Sequence, residues 1–114
     1  MVDILKVLSQ YRFNFQSEKE LQEGISKALG ENSIEFTREF TLSPKDRIDF
    51  ILPSGIGIEV KLEGSANKLA SQVRRYLDHE ELSGIIVVAT RSRLLDLPKN
   101  LNGKSILTYC IRNL

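Results

Sequence analysis

Residues 47–62 read RIDFILPSGIGIEVKL, and the pairing of the two halves of this stretch decides the fold. Arg47 to Leu52 and Gly57 to Leu62 have strand character, and between them sits Pro53-Ser54-Gly55, a turn-forming cluster of the kind that joins antiparallel neighbours. Side chains alternate along a strand, so Ile56, Ile58, Val60 and Leu62 share one face while Gly57, Glu59 and Lys61 share the other. With Gly55 at the hairpin turn, Asp49 falls beside Glu59 on the same sheet face. Gly57, a small residue beside a carboxylate, is expected to leave room for a ligand.

Upstream, Ser43-Pro44-Lys45-Asp46 is a second turn cluster, and Ile34 to Leu42 before it reads as a strand, which makes a β-meander. Ser17-Glu18-Lys19-Glu20 is a capping box at the start of a helix that should run to about Leu29, with Gly30 ending it. Ile4, Leu5 and Leu8 recur at helical intervals and predict a short leading helix from Val2 to about Tyr11. Downstream, Gly64-Ser65 breaks the strand pattern, and Leu69, Val73, Tyr76 and Leu77 mark a third helix through about His79. After Gly84 comes Ile85 to Ala89, a continuous apolar run typical of a central strand covered on both faces. Arg91 to Leu97 reads as one or two helical turns, Pro98 to Gly103 as a loop, and Ser105 to Ile111 as a last strand. The order α-α-β-β-β-α-β-(α)-β predicts an α/β fold with helices flanking a mixed sheet.

A chain of 114 residues is the size of one domain, and the expectation is a single domain over 1–114. Its 41% hydrophobic and 27% charged residues set it apart from disordered chains, which are poorer in apolar side chains. The longest apolar stretch, Ile85 to Ala89, is far below the roughly 20 residues of a membrane span. No signal-peptide core opens the chain, so a cytoplasmic protein is expected. Cys110 is the sole cysteine, which excludes an intrachain disulfide and a Cys-based zinc site within one chain; a buried strand thiol is the default reading. The net charge of +1 lacks the basic excess usual in polyanion binders. Its distribution is uneven: residues 1–60 carry 7 basic and 10 acidic side chains, residues 61–114 carry 9 and 5.

Two carboxylates converging from adjacent strands repel unless they are protonated or bridged by a cation, and hard oxygen ligands favour Mg²⁺ or Mn²⁺ over zinc. Lys61 beside them could hold an attacking water or the charge that develops on a phosphoryl group. The backbone carbonyl of Val60, between the two site residues, is a further candidate metal ligand. Glu-x-Lys on a strand is also the pattern of an ordinary exposed charge pair, and Asp49 and Glu59 on opposite faces would reduce the motif to that. His79, the sole histidine, lies where the third helix ends and is expected to act as a helix-end cation.

The pair RIDFIL and GIGIEVKL, following a helix with an early glutamate, resembles the PD-(D/E)XK nuclease superfamily over about residues 17–90. The resemblance implies a restriction-endonuclease-like α-β-β-β-α-β core, here with an extra N-terminal helix and C-terminal strand, in which Asp49 and Glu59 bind the divalent metal and Lys61 is the motif lysine. Ile48 stands where the motif's name has proline. Many members add a glutamate from the first core helix; of Glu18, Glu20 and Glu23, Glu18 shares a face with Leu21, Ile25 and Ala28 and is the one chosen as a further catalytic and metal-binding residue. Gln72 and Tyr76 are similar to the Q-x-x-x-Y element of RecB-like members, one helical turn apart and able to face a nucleic-acid strand. Arg75, Arg47 and Lys68, with Arg91, are candidate phosphate contacts. The expected function is a small endonuclease acting on DNA, with recognition by DNA structure or delivery by a targeting partner protein, and a homodimer where both strands are cut. The alternative is a nuclease-like fold that only binds nucleic acid or protein.

Overall fold

The two turn clusters fold the middle of the chain into the expected meander. The computed structural model describes residues 3–112. Its elements are helix α1 (Ile4–Ser9), α2 (Glu18–Glu31), strands β1 (Thr37–Thr41), β2 (Arg47–Ile51) and β3 (Ile56–Lys61), helix α3 (Ala66–Tyr76), β4 (Gly84–Ala89), a 3₁₀ turn (Ser92–Leu95), β5 (Asn100–Leu101) and β6 (Lys104–Cys110). The strands form one six-stranded mixed sheet in the order β1-β2-β3-β4-β6-β5. The meander pairs are antiparallel, and β4 lies between β3 and β6, parallel to both. All six residues of β4 are buried, as its unbroken apolar run requires.

Each helix docks its apolar stripe on one face of this sheet. Leu21, Ile25, Ala28 and Leu29 of α2, with Ile4 and Leu8 of α1, pack on Phe50, Ile58, Val60, Ile86 and Val88. Leu69, Val73 and Tyr76 of α3 pack on the opposite face against Ile48, Ile85, Val87 and Ile106. No helix among the described residues is long and apolar enough to cross a membrane.

Several local expectations are corrected. α2 continues through Gly30 to Glu31, because Gly30 stays helical and the turn ends instead at Asn32, whose side-chain amide donates to the Ala28 carbonyl and the Tyr11 hydroxyl. The leading helix is shorter than its apolar spacing implied and is capped by Asp3; its expected start at Val2 lies outside the described residues. The segment 98–103 holds the short strand β5, which turns back through Asn102 and Gly103 onto β6. Cys110 is half-buried at the end of β6.

The departure that matters most lies in β2. Strict alternation would put Ile48 and Phe50 on one face. Ile48 instead joins the core under α3, and Phe50 joins the core under α2. β1 keeps its register with β2 but changes face in the same place: Arg38 pairs with Phe50 and stacks over its ring, Phe40 pairs with Ile48 and packs under α3, and Glu39 between them takes a left-handed φ of 50°. The residue of β2 at which the faces exchange is Asp49.

Candidate functional site

The β2–β3 ladder pairs Phe50 with Ile58 and Ile51 with Gly57, and goes no further. Continued by one residue, that register sets Asp49 opposite Glu59. Here side chains replace the ladder: the Val60 amide donates to Asp49 Oδ2 at 2.7 Å, and the Asp49 amide donates to Glu59 Oε1 at 3.3 Å. The two acids are thus in contact where the strands part, each carboxyl accepting from the backbone of the other's strand.

Their environment disfavours two negative charges. Glu59 is 4% exposed and Asp49 half-buried. Burial above all pushes Asp49 up to about 6, with the Glu18 charge adding to the rise, and the Val60 amide, Lys61 and a hydrogen bond from the Glu59 carboxyl opposing it. Burial, then the Asp49 charge, pushes Glu59 up to about 9, against the pull of the Asp49 amide and Lys61. Burial and mutual repulsion therefore favour a shared proton over two negative charges in this pair.

Lys61 is half-buried beside this pair and also lines an open groove of ≈ 520 Å³ between the end of β3 and α3. Gly64, Ser65, Lys68, Gln72 and Arg75 line the same groove. Lys68, Gln72 and Arg75 recur at three- and four-residue steps and so share one side of α3. Lys61 is the residue common to the acids and the groove.

The remaining expected site residues fall into place unequally. Glu18, half-buried at the first position of α2, raises both acids through its charge, but no three His, Cys, Asp or Glu side chains among the described residues gather closely enough to hold a metal ion. Glu20 is exposed, and Glu23 is bound to Arg38 at 2.9 Å. Val60 meets Asp49 through its amide. Arg47 points to a separate depression with Thr41, Ser43 and Lys45, away from the groove. Arg91 lies 3.9 Å from Glu63.

Two expectations are overturned. Gly57 leaves no room for a ligand: a Cβ there would collide with Ile48 Cδ1 and lie 3.0 Å from Leu82 Cδ2, because the face exchange swings Ile48 into that space. Tyr76 has no surface to offer a nucleic-acid strand; it is 2% exposed, and its hydroxyl donates to the Arg47 carbonyl at 2.9 Å while accepting from Gln72 Nε2 at 2.9 Å. Burial, followed by the charges of Glu59, Asp49 and Asp46, raises its pKa well above the ordinary tyrosine value.

Asp46 was read only as a turn residue, yet it is 6% exposed and organises a cluster. Its Oδ1 accepts from Arg75 Nε and Nη2 at 3.2 Å, and its Oδ2 lies 3.3 Å from His79 Nε2. His79 thus serves Asp46 and is more than a free helix-end cation. Nothing in the turn pattern marks Asp46 as buried; the three groups are brought together by the docking of α3. Arg75 remains 53% exposed at the groove.

Comparison with protein-family models, with curated proteins and with solved structures finds no match to this chain.

Proposed function

We propose that the chain is a metal-dependent endonuclease of the PD-(D/E)XK type that hydrolyses phosphodiester bonds of DNA. The observation that carries the reading is the meeting of Asp49 and Glu59 where β2 and β3 part, with Lys61 joining them to a groove edged by Lys68 and Arg75. The order α2-β1-β2-β3-α3-β4 is the one the resemblance implies, and it supports a restriction-endonuclease-like core.

The donor set fits a hard dication. One oxygen of each carboxyl is engaged by a backbone amide, and among the described residues no second amide is directed at the other oxygen. Two carboxylates are as many protein ligands as Mg²⁺ commonly takes in phosphoryl-transfer sites, where water and phosphate oxygens fill the rest of its shell. Bound there, Mg²⁺ or Mn²⁺ would polarise the phosphoryl oxygen and lower the pKa of an attacking water. Asp49 and Glu59 would hold it, with Glu18 and the Val60 carbonyl as further candidates. Lys61 would hold the nucleophilic water or the developing charge, and Lys68 and Arg75 would hold backbone phosphates.

The test is incubation of the full chain with labelled single-stranded, duplex and branched DNA, in Mg²⁺, Mn²⁺ or chelator, beside Lys61→Ala. Cleavage should need the metal and fall by about 10²-fold or more in the variant. Cleavage that persists undiminished in Lys61→Ala would overturn the assignment. One observation favours a second reading, a nucleic-acid-binding module: Glu59 is nearly sealed, and the groove reaches the acids only through Lys61. That reading predicts DNA binding without metal-dependent cutting, unchanged in Glu59→Gln. A homodimer or a targeting partner belongs to the nuclease reading, because a domain of this size carries one such site.

A further inference from the structure

We infer that Gln72 and Tyr76 are positioning residues, a hydrogen-bond relay from α3 that pins β2 where it leaves β3 and so aims Asp49 at Glu59. Beyond Phe50 the two strands share no ladder pair, so the backbone groups facing the gap need other partners. The structure supplies two, one on each side of Ile48. The Arg47 carbonyl accepts from the Tyr76 hydroxyl, and the Val60 amide donates to the Asp49 carboxylate. The first tie holds β2 to α3 and the second holds it to β3.

The relay is satisfied at every atom that matters. The Tyr76 hydroxyl gives its proton to Arg47 and takes one from Gln72, so its orientation is not free. Its ring is immobilised in the core under α3, next to the Ile48 side chain that the face exchange has turned toward it. Phenylalanine at this position would leave the Arg47 carbonyl without its partner, and β2 could then relax toward regular alternation. That relaxation would carry Ile48 and Asp49 out of their present phase together. Gln72, half-buried at the groove, is the outer end of the relay. Its role differs from the strand contact expected from sequence: it acts on Asp49 through two intermediaries. The consequence for catalysis rests on the nuclease reading above; the pinning does not.

The test is amide hydrogen exchange on the full, metal-free chain, comparing wild type, Tyr76→Phe and Gln72→Ala, with Val87 in β4 as internal reference. Loss of the hydroxyl should speed exchange at Val60 by about tenfold relative to Val87, the amount one hydrogen bond is worth, and Gln72→Ala should move it the same way by less. Mn²⁺ affinity should fall by about the same factor in Tyr76→Phe, with DNA affinity in chelator unchanged. Unchanged Val60 protection in Tyr76→Phe overturns the proposal, as does a loss of DNA affinity with Val60 unmoved, which would make the element a direct contact. Where Tyr76→Phe fails to fold, unchanged Val60 protection in Gln72→Ala has the same force. A wild type that binds no Mn²⁺ sinks the metal reading alone, since exchange at Val60 is read without metal.

Discussion

Glu59→Gln should make the metal-free protein more stable at neutral pH. Burial and the Asp49 charge push Glu59 from 4.5 to about 9 in the folded chain. A carboxyl whose folded-state pKa is raised binds its proton more tightly when native, so its contribution is complete below the unfolded value near 4.5 and is lost as pH rises through the folded value near 9. Between pH 5 and pH 7 the native chain keeps this proton and the unfolded chain has released it. At ~1.4 kcal/mol per pH unit, wild type loses about 3 kcal/mol over the interval, or roughly 10 °C in Tm. Glutamine is a neutral isostere with no such proton, so its profile lacks the slope. The assay is thermal unfolding of both proteins from pH 4.5 to pH 8 in chelator, and the difference between the curves cancels the shared groups that do not touch Glu59 and reports the Asp49–Glu59 pair. The curves should lie close together near pH 4.5 and stand about 3 kcal/mol apart at pH 7, with the variant ahead. Parallel curves refute the reasoning. Since a cation requires the carboxyl deprotonated, Mg²⁺ should raise the wild-type midpoint more at pH 8 than at pH 5 and leave Glu59→Gln unmoved.

Gly57→Ala should cost about 2 kcal/mol in urea unfolding, because its Cβ would meet Ile48 in a packed core, whereas Gly30→Ala, in a helix with open space around it, should gain about 0.5–1 kcal/mol. Equal effects at the two positions would contradict the packing at Gly57. Asp46→Asn should destabilise by about 2 kcal/mol and loosen the end of α3, seen as faster exchange at the Leu77 and His79 amides, since it leaves Arg75 and His79 without their shared carboxylate.

How much could be read in advance depended on whether a residue obeyed its local period. The buried run Ile85 to Ala89 is typical of a covered strand, and the turn residues around Pro44 and Gly55 made a meander the natural reading; both are found. Glu59 and Lys61 sit in β3, where alternation holds, and their faces were legible. Asp49 sits where alternation fails. Its neighbourhood with Glu59 followed from the hairpin, but the exchange of Ile48 and Phe50 between cores did not, because nothing in RIDFIL distinguishes a regular strand from one that changes face. The misreading of Gly57 follows from that: the space beside it is taken by an Ile48 side chain that regular alternation would place on the other side. Asp46 and Tyr76 were opaque for another reason. Their partners lie 29 residues away in the chain, Arg75 for the first and the Arg47 carbonyl for the second, and only the docking of α3 brings them together.

Three unfavourable features fall on one row across the sheet. Glu39 holds a left-handed backbone that a non-glycine residue adopts at some cost, the β2–β3 ladder is abandoned after two pairs, and a buried acid, Glu59, meets a half-buried one, Asp49. A regular hairpin with an apolar pair at positions 49 and 59 would avoid the last two. Beside them β4 and β6 run on in full register. Under the metal-dependent reading proposed above, irregularities that converge on the same two carboxyls share one cause, a cation bound between them. A hard dication held there, as that reading proposes, would cancel the repulsion between the acids and displace the proton that the pair favours.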